Sequence, residues 1–186
     1  MVKPAHRTAT YEDLFDLPEN VVGEILGGEL VTHPRPAPKH ARAASAIGAM
    51  LFTNFDFKSS GGEGEWWILH EPECHLADDI IVPDIAAWRK TTMPQLPDTA
   101  WFGIRPDWVC EVLSPSTAKY DRDIKRKIYA REGVGHYWMV DPIEKMIEVF
   151  VLENGSWVVS DVVTDSKIVN LVPFEILPFD LSALWV

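Results

Sequence analysis

The sequence predicts an α/β fold: a mixed, twisted central β-sheet flanked by helices, with additional antiparallel hairpins at both ends. Three observations predict it. Residues 108–113 (WVCEVL) form a short, β-prone apolar run closed by Ser114-Pro115. A basic helical stretch at 121–132 follows, stopped by Gly133 and Gly135, and a second β-prone run (HYWMV) occupies 136–140, completing a strand–helix–strand crossover. Hairpin signals stand on either side. Gly27-Gly28 interrupts the apolar run 21–31 (VVGEILGGELV), and Asn154-Gly155 separates 146–152 from 157–163. Such pairs supply the positive φ that a tight turn needs.

The remaining elements follow in order. Residues 1–10 read as a flexible N-terminus, and 11–186 as one domain, the expectation for a chain of 186 residues. YEDLFDL (11–17) reads as a short helix stopped by Pro18. Glu24 and Glu29 fall on the hairpin strands, where a solvent-facing position is the simpler reading. A proline-rich loop at 33–38 leads into a helix over 39–55, in which Ala43, Ala44, Ile47 and Leu51 recur at helical spacing. His40 lies near its start on the Ile47 side, first read as a capping or packing histidine. Residues 61–64 form a glycine turn. WWILHEPECH (66–75) reads as one strand with Glu71, Glu73 and His75 on a shared face. Its histidines, cysteine and acids match no tetrahedral zinc spacing, and Glu73 is a candidate outer member of a carboxylate cluster. The next strand, 79–88, carries one interior carboxylate, Asp84, directly after Pro83. The proline-rich segment 91–106 holds Trp101 and Phe102, and a loop of that length serves as a lid, a binding loop or a dimer contact. Residues 168–186 alternate apolar and polar, as a strand closing the sheet edge does.

Composition limits the function classes. An apolar fraction of 47% with 24% charged residues is that of an ordinary globular protein. No apolar run approaches the roughly 18 residues of a membrane helix, and MVKPAHRTAT is no secretory signal. Cys74 and Cys110 lack CxxC spacing and read as buried thiols, so a cytoplasmic location is expected. A net charge of −11 argues against a protein that coats nucleic acid. Charge is patterned, however: six basic residues between Lys119 and Arg131 face only Asp121 and Asp123. Lys119, Arg122 and Arg126 are the candidate nucleic-acid contacts, against the simpler reading of a solvated helix face.

The chemistry converges on two acids. Alternation over 108–113 places Val109, Glu111 and Leu113 on one face and Trp108, Cys110 and Val112 on the other. A lone glutamate in so apolar a strand is costly to bury unless something binds it. Asp84 stands 111 − 84 = 27 residues upstream, a separation that suits two strands joined by the loop. If the two carboxylates meet at about 4 Å, their repulsion is about 4 kcal/mol at an effective dielectric of 20. A divalent cation offsets it, and all-oxygen ligation suits Mg²⁺ or Mn²⁺. Water on such a cation is a nucleophile for a phosphodiester, and Lys125 or Lys127 on the crossover helix could orient it. The competing explanation is a buried salt-bridged cluster with no catalysis, in a binding or assembly module. A serine-hydrolase triad at Ser114 is disfavoured, because Pro115 follows and no G-x-S-x-G elbow is present.

Val82-Pro83-Asp84 followed by Glu111-Val112-Leu113-Ser114-Pro115-Ser116 resembles the Uma-two family of restriction-endonuclease-like proteins, within the PD-(D/E)XK nuclease superfamily. The resemblance extends through Asp121, Lys125, Tyr129, Gly133-Val134, Tyr137-Trp138 and Asp141-Pro142, and upstream to Glu24 through Leu30, Pro36 and His40. It implies a restriction-endonuclease-like fold and an Mg²⁺- or Mn²⁺-dependent endonuclease acting on DNA, with a homodimer expected of enzymes that cut duplexes. It further implies Asp84 and Glu111 as metal ligands, with Glu24 and His40 as candidate supporting or substrate-contacting residues; the reading of the residues themselves adds Glu73 and Lys127 to those candidates. One position departs from the superfamily pattern: Leu113 stands where a lysine is expected two residues after the glutamate. The resemblance implies that the lysine's role has moved to the following helix, and the D-x3-K-x3-Y spacing of Asp121, Lys125 and Tyr129 points to Lys125. Helical geometry alone leaves the choice open. With Tyr120, Ile124 and Ile128 as the buried stripe, Lys127 lies about 60° away and Lys125 about 100°.

Overall fold

Two prolines divide the first half of the chain between two sheets. The computed structural model describes residues 7–57, 64–165 and 167–185. Residues 1–6, within the segment read as flexible, and 61–63 of the glycine turn lie outside the described residues. After a short helix α1 (Glu12–Phe15), strands β1 (Val21–Leu26) and β2 (Glu29–Pro34) form the first hairpin, with Gly27 and Gly28 at φ 62° and 80°. Helix α2 (Pro38–Leu51) continues into a wider π-helical turn, Phe52–Asp56.

The segment 66–75 is not one strand. Strand β3 (Trp66–His70) ends where Glu71 takes a φ of 46° and Pro72 offers no N–H to a ladder, and β4 (Cys74–Leu76) begins in the other sheet. Glu71, Glu73 and His75 therefore share no strand face. The segment 79–88 is divided likewise. Strand β5 (Asp79–Ile81) pairs with β4 and β1, then Val82-Pro83-Asp84 carries the chain across to β6 (Ile85–Arg89) in the large sheet. Asp84 thus sits at a seam between sheets and not within a strand.

Strand β7 (Trp108–Val112), the helix at 118–131, and β8 (His136–Asp141) form the expected crossover, with β7 and β8 parallel and Glu111 opposite Met139. The first half of that helix, Tyr120–Lys125, is π-wound and the second, α3 (Arg126–Arg131), is regular. Strands β9 (Met146–Glu153) and β10 (Ser156–Thr164) flank Asn154 and Gly155, at φ 50° and 77°. The large mixed sheet runs β10-β9-β8-β7-β6-β3, and the small antiparallel sheet β2-β1-β5-β4. Among the described residues no helix is long and apolar enough to cross a membrane.

The alternation predicted for β7 holds. Trp108, Cys110 and Val112 face a core shared with Ala43, Ile47 and Leu51 of α2, while Val109 and Leu113 face Ile128 and Tyr129 of α3. Both cysteines are free and buried, one in each core. The C-terminal stretch does not close a sheet edge. Its two short strands, β11 (Ile168–Val169) and β12 (Phe179–Asp180), pair with each other. Its aromatic residues cover a face of the large sheet, because Phe174 fills the gap among Phe55, Trp66, Trp108 and Trp138, with ring centroids 4.7 to 5.9 Å away. The loop at 91–106 is fastened down. Phe102 stacks on Trp88 at 4.9 Å and Trp101 on His75 at 4.4 Å, while the Phe102 N–H donates to Glu73 O at 2.8 Å.

Phe174→Ala should cost about 3–5 kcal/mol, the usual range for a fully buried phenylalanine. Ile176→Ala, at a side chain 84% exposed two residues on, should stay within about 0.5 kcal/mol. Urea denaturation of the two variants measures the difference.

Candidate functional site

At the seam, side chains replace the ladder that Pro83 cannot continue. The Val112 N–H, two residues beyond the Ile85–Cys110 pair and so opposite Pro83, donates to Asp84 Oδ2 at 2.7 Å. The Asp84 N–H points to Glu111 Oε2 at 3.4 Å, a long contact, so the two predicted acids meet on one side of the sheet. From β1, Glu24 reaches the same seam, its Oε1 accepting from the Val82 N–H at 2.7 Å.

Lys125 closes the group. Its Nζ lies 2.9 Å from Glu24 Oε1, 3.1 Å from Glu111 Oε1, 3.3 Å from Val82 O and 3.7 Å from Asp121 Oδ1. An ammonium has three N–H donors, and the three nearest oxygens take them, which leaves Asp121 Oδ1 buried with no hydrogen bond. Tyr129 OH donates to Glu111 Oε1 at 2.6 Å. His33 Nε2 pairs with Glu24 Oε2 at 2.6 Å, and His40 Nε2 with Asp84 Oδ2 at 3.1 Å. Of these groups His33, His40, Asp84, Glu111, Asp121 and Lys125 line a cavity of about 260 Å³ between the 34–37 segment and the 114–117 turn.

The helix orientation brings Lys125 and not Lys127 against the acids. Apolar periodicity placed Tyr120 and Ile124 inward; they are half-buried, and the inward stripe is Asp121, Lys125, Ile128 and Tyr129. A buried pair of opposite charges one turn apart is invisible to a hydrophobic pattern. Lys127 is exposed and paired with Asp123. The solvent-face reading of Glu24 is overturned as well, since its side chain is fully buried. Glu73 stands apart from the cluster, accepting from Tyr11 OH and pairing with His75 Nε2, both at 2.8 Å. Of the predicted nucleic-acid contacts, Arg122 pairs with Glu148 at 2.7 Å, Arg126 lies 4.5 Å over the Phe150 ring, and Lys119 is exposed. His33 carries no sequence signal as a site residue beyond its type, and only the fold brings it in; Tyr129, the last member of the D-x3-K-x3-Y spacing, is placed by the fold on Glu111.

Electrostatics follow from one ammonium among several acids. Burial works against the charged form of Lys125, but Glu111, Glu24 and Asp121 outweigh it and hold its pKa well above the usual value. Burial alone would raise Glu24; Lys125, His33 and the Val82 amide overcome this and keep it ionised. The surplus falls on Glu111, pushed well above the carboxylate range by burial and, with Lys125 opposing, by Asp121, Asp84 and Glu24. Asp121 is raised for the same reasons. His40 is raised by Asp84 against the effect of its burial.

Among the described residues no group of three or more His, Cys, Asp and Glu side chains is arranged to hold a metal. A two-carboxylate site is nevertheless what Mg²⁺ commonly takes, since it keeps several waters. Asp84 Oδ1 accepts no hydrogen bond from the described residues, Glu111 Oε2 has only the 3.4 Å contact, and the negative surplus lies around them. The donor set fits a hard divalent cation held by Asp84 and Glu111.

Lys125→Met should destabilise the fold by about 3–5 kcal/mol at pH 7, because it strands buried carboxylates. Acids whose folded pKa is raised hold more protons folded than unfolded, so stability falls as pH rises above the unfolded value near 4. Without Lys125 the carboxylates rise further, and the deficit should shrink as pH falls from 7 to 5. Denaturant midpoints at the two pH values test this.

A family model, Uma2, described as "Putative restriction endonuclease", matches residues 10–182. The crystal structure of a protein from Anabaena variabilis, described as a "putative nuclease belonging to DUF820", shares the fold. It aligns with a TM-score of 0.73 at 23% identity, over 95% of this chain and 97% of that one. No curated protein matches the chain.

Proposed function

This chain belongs to the Uma2 family, and on that premise we propose that it is a metal-dependent endonuclease hydrolysing phosphodiester bonds in DNA. The observation that carries the reading is the convergence of Asp84, Glu111 and Lys125, distant in sequence, at one pocket. In this reading Asp84 and Glu111 hold Mg²⁺ or Mn²⁺, which when bound supplies a water of lowered pKa and neutralises charge on the phosphate. The protein's own groups fix the ligands. His40 and the Val112 N–H hold Asp84 Oδ2, which leaves Oδ1 for the cation; Tyr129 and Lys125 hold Glu111 Oε1, which leaves Oε2. Glu24, secured by His33, keeps the Lys125 ammonium in place. For Lys125 to touch an attacking water it must release a partner, and the Val82 carbonyl at 3.3 Å is the weakest held.

The saturation of Lys125 favours a second reading, a non-catalytic binding module whose acids are held in a closed ion cluster. Cleavage and metal binding separate the two. The wild type should nick supercoiled and circular single-stranded DNA with Mg²⁺ or Mn²⁺, and Asp84→Asn should lower the rate by about a hundredfold or more, beyond the loss seen for groups that only support a metal ligand. Calorimetric titration should show divalent binding that Asp84→Asn weakens. Cleavage that survives the substitution would remove the nuclease assignment from this site, and the absence of both cleavage and divalent binding would establish the inert module.

A further inference from the structure

Apart from Lys119 at its start, the cations of the crossover helix, among them the sequence's other candidates for gripping phosphate, are already engaged. Arg122 pairs with Glu148, Lys127 with Asp123, and Arg131 with Asp79 and Glu132, while Arg126 lies over Phe150 and Lys125 is sealed in the cluster. Drawing a phosphate to Arg122 or Arg131 therefore means breaking an ion pair, with little net gain. The two segments that wall the pocket differ. Arg35, which lines it, Lys39, one residue before the lining His40, and Lys119, two residues beyond the lining Thr117, are all exposed, and none forms an ion pair with a described residue. Arg35 holds only the carbonyl of Glu19, at 3.3 Å.

The acids between these walls are recessed. The side chain of Asp84 is 19% exposed and that of Glu111 2%, at the base of a cavity of about 260 Å³. That volume lies just below the usual small-ligand range of roughly 300–1,000 Å³. It has room for about one phosphodiester with an adjoining sugar. Three free cations are also few beside the roughly 6–10 phosphate contacts of a strong duplex binder. The hydroxyls of Ser114, Ser116 and Thr117, bonded chiefly to one another at 2.9 and 3.0 Å, stand along the Lys119 wall and can turn to phosphate oxygens.

We propose that the substrate is single-stranded nucleic acid laid across the pocket mouth, its phosphates held by Arg35 and Lys39 on one wall and Lys119 on the other. This rests on the endonuclease reading and names the strand and the surface that deliver it. The outward helix face with Arg122 and Arg126 takes no part.

The test is fluorescence anisotropy with fluorescein-labelled single-stranded and duplex oligonucleotides of one sequence, in EDTA, over a series of KCl concentrations. The wild type should prefer the single strand, with a slope of log K on log salt of about −2, three contacts at roughly 0.7 each. Arg35→Ala, Lys39→Ala and Lys119→Ala should each make the slope shallower by about 0.7, and Arg122→Ala and Arg126→Ala should leave it unchanged. Preference for the duplex, or slopes that respond only to Arg122 and Arg126, overturns the proposal. A parallel Mg²⁺ and Mn²⁺ cleavage assay keeps the two failures apart. Cleavage with unmoved slopes sinks the surface alone, whereas no cleavage of either DNA sinks the endonuclease reading beneath it.

Discussion

One ammonium among three buried carboxylates is the constraint on which the rest of the molecule depends. Lys125 comes from the crossover helix, Glu111 from the large sheet, Glu24 from the small sheet and Asp121 from one turn earlier on the helix. No pair of these elements is joined by a long ladder at this point, because Pro83 ends the small sheet just where the large one begins. The ion cluster is therefore the joint between two sheets and a helix. A buried joint of this kind adds little net stability compared with an apolar one. What it adds is geometry: in this arrangement Lys125 meets Glu24, Glu111 and the Val82 carbonyl, and Glu24 meets the Val82 N–H.

The same joint creates the chemical opportunity. Asp84 is held at the seam because its carboxylate stands in for a missing strand partner, accepting from Val112, and that duty occupies one oxygen. Glu111 likewise gives one oxygen to Lys125 and Tyr129. Each acid has its second oxygen free of strong donors, on the side where negative charge is in surplus. A fold that only needed to bury a salt bridge would balance its charges. Here the imbalance and the cavity coincide, and Asp121 Oδ1 is left without a donor in the same place.

Much of this was legible in the sequence. The β-prone runs around Glu111 and at 136–140 and the glycine and asparagine turns follow from patterns that local physics writes directly, whereas Lys125 is singled out only by the family resemblance, helical geometry leaving it open beside Lys127. The parts that were not legible share a cause. Glu24 reads as a solvent-facing residue because a strand shows its alternation but not what lies over each face, and the Val82 turn that lies over it is 58 residues away. The inward face of the helix was misplaced because Asp121 and Lys125 cancel each other and leave no apolar signature. The runs 66–75 and 79–88 were each read through a proline as one strand, although Pro72 and Pro83 are where the chain changes sheets. The C-terminal alternation was real, but it served a face rather than an edge, because Phe174 and Phe179 had an aromatic surface to cover.

The position of Leu113 shows how the site and the core trade residues. It shares the face of Glu111 and is buried against the core that contains Ile128 and Tyr129. A lysine there would have to bend back toward Glu111 from within an apolar layer, leaving its stem in place and its charge desolvated. Supplying the cation from the helix removes that conflict: the strand keeps an apolar residue where the core requires one, and the helix already carries Asp121 and Tyr129 on the face that meets Glu111. The arrangement also ties the ammonium to the helix's seating on the sheet, so anything that shifts the helix shifts the charge balance around Glu111. An acidic chain with a net charge of −11 holds few free cations with which to draw in a polyanion. Arg35, Lys39 and Lys119 set some of them on the segments that wall the pocket, while most cations of the helix are paired or stacked.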